Sequence, residues 1–124
     1  LPIQQSGQLK FVNSEKNVFN NFDILFVNGH TDNQMIPHIA YKDKTIVFAA
    51  DLLPSTGHIP LPYVMGYDTR PLLTLSEKEI FLNNAADNDY IIFLQHDNYN
   101  ECCRVKNIED KVVLSDTFNL NEVL

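Results

Sequence analysis

No cluster of basic residues occurs in this 124-residue chain, whose 9 Lys and Arg stand against 16 Asp and Glu for a formal charge of −7. Nucleic-acid binding is thereby disfavoured, because the phosphate contribution to affinity needs a positive surface. Long hydrophobic runs are missing too. None exceeds Ile46–Ala50, so no segment spans a bilayer as a helix and no signal-peptide core is visible. There is no low-complexity tract, internal repeat or Gly/Ser-rich linker, and with 44% apolar and 20% charged residues the composition is that of a folded chain. A mass of 14.2 kDa makes one unit, residues 1–124, able to hide about two thirds of its unfolded surface. Cysteine is scarce: Cys102 and Cys103 are neighbours, which can bridge only across a strained peptide. Reduced thiols on a strand are expected, one facing in and one out, and with them a cytoplasmic location.

Three short runs rich in β-branched and aromatic residues, each bounded by Asn, Asp or Gly, read as largely buried strands: Phe22–Val27, Thr45–Ala50 and Tyr90–Leu94. Weaker strand signals cover residues 8–12, 37–41, 102–106 and 111–114, with Lys42-Asp43 as a tight hairpin turn. A helix is expected over Ser76–Ala86, capped by Ser76, with Glu77 and Glu79 near its positive end and Ile80, Phe81 and Ala85 as its apolar stripe. Between Leu52 and Leu73, prolines at 54, 60, 62 and 71 and glycines at 57 and 66 exclude a regular element. A loop of that length in a small domain points to function.

Each strong strand runs into a polar side chain. Phe22–Val27 leads through Asn28-Gly29 to His30, Thr45–Ala50 leads directly to Asp51, and Tyr90–Leu94 leads through Gln95 to His96. If the strands neighbour one another in parallel, two imidazoles and a carboxylate gather at one rim of the sheet. That donor set suits Zn²⁺, or Mn²⁺ or Fe with more oxygen ligands. A histidine at a strand end also serves as an ordinary turn or cap residue, and the residues alone leave both readings open.

The strings VNGHTDNQ (27–34), TIVFAAD (45–51) and FLQHD (93–97) resemble the second half of the metallo-β-lactamase-fold hydrolases. The resemblance runs from about residue 8 to residue 113. It implies an α/β fold, the C-terminal half of a four-layer αββα sandwich with a mixed sheet and flanking helix. It also implies that His30 and His96 each hold one of two divalent ions, with zinc as the expected metal, and that Asp51 bridges them. The spacings, 21 residues from His30 to Asp51 and 45 from Asp51 to His96, are similar to those of the family. Departures are Asp32-Asn33 where the family often has Pro-Gly, and Ala49-Ala50 where it often has Thr-Gly.

The family signature H-x-H-x-D-H, which supplies the remaining ligands, occurs nowhere in the 124 residues. Together with the missing initiator Met at Leu1, this leads to the expectation that the chain is a C-terminal fragment, inactive alone, of a longer hydrolase. The parent is expected to use a metal-activated hydroxide on an ester, lactone, thioester, amide or phosphoester of a small molecule. The sheet face that normally packs on the other half would be open and would drive self-association, for instance into a homodimer.

Weaker candidates lie in the long loop. His58, Tyr67 and Asp68 are substrate-binding candidates, although His58 also reads as a surface histidine. Tyr63 and Tyr67 also read as packing anchors among prolines. Asp97 either hydrogen-bonds a ligand imidazole or starts the turn at Asp97-Asn98, and His38 reads as a structural histidine. The alternative function is a non-catalytic structural or interaction domain on the same fold. A flavodiiron-type redox protein is disfavoured, since no flavin-binding segment is visible.

Overall fold

The computed structural model describes residues 2–124. A four-residue helix α1 (Pro2–Gln5) and an irregular segment precede a six-stranded sheet: β1 (Phe22–Val27), β2 (Gln34–Tyr41), β3 (Lys44–Phe48), β4 (Ile91–Phe93), β5 (Cys102–Ile108) and β6 (Lys111–Phe118). The spatial order is β1-β2-β3-β4-β5-β6, and every neighbouring pair is antiparallel except β3 and β4. The crossover between that parallel pair carries the long loop and the helix α2 (Pro71–Asp87). Among the described residues no helix is long and apolar enough to cross a membrane.

The three strong strands of the sequence are β1, β3 and β4, but β1 is no neighbour of β3. The strand β2, antiparallel to both, lies between them. Two reversals restore direction, so β1, β3 and β4 still end at one rim. Residues 8–12 are outside the sheet, whereas the other weak signals extend into β2, β5 and β6. The turn at Lys42-Asp43 joins β2 to β3, with Lys42 at φ 54°.

Helix α2 begins five residues before the expected Ser76. Pro71 occupies its first turn, where the missing N–H costs nothing and φ is preset. Ser76 is therefore no cap; its hydroxyl bonds back to the Leu72 carbonyl at 3.3 Å. The buried stripe is Thr74, Lys78, Phe81, Leu82 and Ala85, while Ile80 faces solvent. A charged residue inside this stripe hides the helical periodicity from a hydropathy pattern.

Phe81, Leu82 and Ala85 pack on Ile36, Val47, Ile92, Cys103 and Val105 to form the core. Both cysteines are buried and free, and burial raises Cys102 to about 11 and Cys103 to about 12, so they are inert thiols. The other sheet face is the one turned away from α2. The register groups Phe22, Phe26, Met35, Ile39, Ile46, Phe48 and Phe93 there, with Met35 47% and Ile39 36% exposed.

Candidate metal centre

His30 sits three residues after β1, in a loop pinned from two sides. The Glu77 carboxylate of α2 accepts hydrogen bonds from the backbone N–H groups of Asn28 (2.7 Å) and Gly29 (2.9 Å). The Thr69 and Arg70 N–H groups donate to the carbonyls of His30 (3.3 Å) and Gly29 (2.8 Å). Arg70 also reaches the Asn28 carbonyl (2.9 Å) and Asp32 (2.6 Å) through its guanidinium. Such close approach requires glycine at 29: a Cβ would stand 2.5 Å from Thr74 N, 2.6 Å from its Cα and closer still to Oγ1. Asn33, where the resembling family often has glycine, takes φ 55°, a left-handed conformation that Asn tolerates well.

Asp51 follows β3 directly. Ala50 before it also adopts a positive φ, 46°, which a side chain with a Cβ enters only at a cost. This is the second of the two departures, and the backbone there has kept the conformation that glycine would take freely. Gln34, the first residue of β2, pairs in register with Val27 and so stands on the same rim, where its Nε2 donates to Asp51 Oδ2 at 3.3 Å.

His96 follows β4, its backbone N–H bonded to the Pro54 carbonyl at 2.9 Å. Asp97 organises the turn beyond it: the carboxylate accepts from Thr56 N and Oγ1, from Tyr99 N, and from Asn100 N and Nδ2, at 2.8–3.2 Å. Burial opposes its charge, but these hydrogen bonds together outweigh it and hold the carboxyl well below the usual range. Asp97 thus starts the turn and ties it to the long loop.

The three side chains converge. His30 Nε2 lies 3.5 Å from Asp51 Oδ2 and His96 Nε2 lies 3.0 Å from Asp51 Oδ1, so each imidazole faces its own carboxylate oxygen. Two donors on one tetrahedral zinc stand roughly 3.4 Å apart when each is about 2.1 Å from the ion. The donors therefore fit two corner positions that share a bridging carboxylate. Among the described residues no group of three His, Cys, Asp or Glu side chains is arranged to hold an ion by itself. Ions at these positions would each take two donors from this chain, about half of a closed coordination shell.

The loop candidates divide. Asp68 is buried beside His30, with Oδ1 2.9 Å from His30 Nδ1. His58 turns away to Ser55 Oγ at 2.8 Å, and burial lowers its pKa, with the Lys78 charge adding to the effect. Tyr63 and Tyr67 are exposed, at 61% and 86%, rather than anchored in the core. His38 packs edge-on against Tyr90 and Phe81 on the helix side of the sheet.

Three supporting residues escape a reading of the sequence. Glu77 was legible only as a helix-end charge, Gln34 only as the last letter of VNGHTDNQ, and Lys78 not at all. Lys78 is fully buried, and its ammonium donates to the carbonyls of His58 (3.0 Å), Pro60 (3.3 Å) and Tyr63. Burial lowers its pKa to about 8, against the opposing charge of Asp68.

A mixed α/β sheet with a helix on one face and a His–Asp–His rim at its strand ends defines part of a metallo-β-lactamase-like sandwich. No family model and no curated protein sequence matches the chain. Solved structures do. It is similar to AidC, a dizinc quorum-quenching lactonase in complex with an N-hexanoyl-L-homoserine product, with a TM-score of 0.76 and 20% identity over 92% of this chain and 40% of that one. The hydrolase AbOPH of the beta lactamase superfamily gives 0.81 and 18%, over 95% and 41% of the two chains. A probable metal-dependent hydrolase from Staphylococcus aureus gives 0.77 and 20%, over 92% and 42%. The likeness establishes the fold. The chain spans about two fifths of the length of these structures, which is consistent with one half of the sandwich.

Proposed function

We propose that this chain is the C-terminal half of a metal-dependent hydrolase, with His30 and His96 each binding one divalent ion and Asp51 bridging the pair. The observation that carries this reading is the approach of the two Nε2 atoms to separate oxygens of one carboxylate, at 3.5 and 3.0 Å. A short side chain directly after a strand places both oxygens with little freedom, which suits Asp51 to bridging. A divalent ion held by these residues would lower the pKa of a bound water towards about 7 and would polarise the bond under attack. This chain's residues bind and orient: Asp51 is held by Gln34, and His30 by its loop.

Zinc is the metal we propose, and a small-molecule ester or lactone is the first substrate class to test, on the strength of the lactonase among the similar structures. Amides, thioesters and phosphoesters remain within the same chemistry, because the fold hosts many reactions. The chain alone is proposed to be inactive, since each corner holds two of its donors. The apolar sheet face opposite α2 supports pairing with the remaining half of the sandwich or with a second copy.

Titration of the metal-free chain with Zn²⁺, followed by calorimetry, tests the site. Binding that disappears in Asp51→Ala is the expected result, and a variant that binds as the wild type does overturns the proposal. The incomplete donor set favours a second reading, a non-catalytic interaction domain. A coding frame that supplies no H-x-H-x-D-H segment upstream of Leu1 decides for it.

A further inference from the structure

The Asp68 side chain is fully buried, yet among the described residues only one of its oxygens is used. Oδ1 meets His30 Nδ1 at 2.9 Å, while Oδ2 has no hydrogen-bond partner among them. Burying a carboxylate with one oxygen unsatisfied opposes folding, so stability alone gives no account of an acid at this position. Backbone contacts set its place. The Thr69 N–H and hydroxyl bond to the His30 carbonyl, and Arg70 N–H bonds to that of Gly29, so residues 68–70 run beside the His30 loop. Asp68 N–H closes a turn onto the Met65 carbonyl at 3.1 Å. Upstream, Lys78 gathers three carbonyls of the loop that leads to this turn.

We propose that Asp68 is a positioning residue for His30. A neutral imidazole carries one proton, and the nitrogen that keeps it is decided by the stronger acceptor nearby. Asp68 Oδ1 holds that proton at Nδ1 and so leaves the Nε2 lone pair facing Asp51. The role in metal binding rests on the proposed metal centre; the choice of tautomer does not. Asp68 therefore acts through His30 and touches neither ion nor substrate. Replacing the carboxylate by an amide keeps the shape and weakens the acceptor, whereas alanine removes it.

The test reads the ring nitrogens of His30 by ¹⁵N NMR in the metal-free chain with the imidazole neutral. The wild type is expected to carry its proton at Nδ1, Asp68→Ala to move it to Nε2, as in a free histidine side chain and towards Asp51 Oδ2, and Asp68→Asn to restore Nδ1–H in part. A wild-type ring protonated at Nε2, or an alanine variant still protonated at Nδ1, overturns the proposal. Should the alanine variant fail to fold, the wild-type spectrum decides by itself. Zn²⁺ affinity is the second readout, expected to fall about ten- to a hundredfold in Asp68→Asn at unchanged thermal stability. Undiminished affinity overturns the positioning role. A wild-type chain that takes up no Zn²⁺ sinks the metal centre instead, and the ring spectrum still judges Asp68.

Discussion

His30 and His96 face the same carboxylate, but the chain holds them in different ways. The His30 side chain is 20% exposed, its Nδ1 is engaged by a buried carboxylate, and its loop is tied to α2 and to residues 69–70. The His96 side chain is 52% exposed, and among the described residues its ring meets only Asp51; order comes to it through the backbone and the Asp97 turn. One imidazole is aimed through its own ring, and the other through the polypeptide on which it rides. This chain supports the His30 ring on both nitrogens, while the His96 ring is supported on one side only. Preorganisation of a metal site resides in such outer contacts as much as in the ligands.

The difference can be broken first at Gly29. Gly29→Ala is expected to cost about 3 kcal/mol or more, because the new methyl meets backbone that cannot turn aside. Thermal unfolding reads the loss, and His30 should lose its fixed ring environment while His96 keeps its own. A variant as stable as the wild type would show that the two corners are equally soft. Glu77→Ala is next, at about 2 kcal/mol, since it leaves the Asn28 and Gly29 N–H groups without an acceptor. Its effect on Zn²⁺ binding should fall on the His30 corner.

The opposite corner is probed through Asp97. Asp97→Asn should cost about 1.5 kcal/mol at neutral pH by weakening charge-assisted hydrogen bonds from Thr56, Tyr99 and Asn100. The folded pKa of Asp97 lies below its ordinary value of 3.8. Its stabilisation is therefore present above about pH 4 and is lost as pH falls below that value. Acid titration of unfolding stability should show a shallower decline in the variant than in the wild type; parallel curves would contradict this. The smallest effect is expected at Ala50. Ala50→Gly relieves the positive φ but loosens the unfolded chain, for a net gain under about 1 kcal/mol, read as a small rise in melting temperature.

Much of the fold was legible because β1, β3 and β4 are local signals: dense β-branched and aromatic runs that end at turn residues. The start of α2 was not, because Pro71 belongs to a proline-rich stretch that reads as loop, and Lys78 interrupts the apolar stripe. The intervening β2 was legible only in its second half, since its first residues, Gln34 and Met35, follow a polar turn without a break. The proposed donors were visible as strand ends, whereas the residues that hold them were not. His30 and Asp68 are 38 residues apart in sequence, and Asn28 and Glu77 are 49 apart.

What the sequence determined by itself is which polar side chains, the proposed donors His30, Asp51 and His96, follow which strands. Side-chain alternation and strand propensity act over a few residues, and the motifs around His30, Asp51 and His96 lie within that range. Tertiary structure decided that β2 separates β1 from β3, that two antiparallel steps bring the rims together, and that Asp68 rather than Asp97 meets an imidazole. Those outcomes depend on burial and hydrogen bonding between segments distant along the chain. Only packing of α2 against the sheet, and of its N-terminal turn against Gly29, brings such segments into contact.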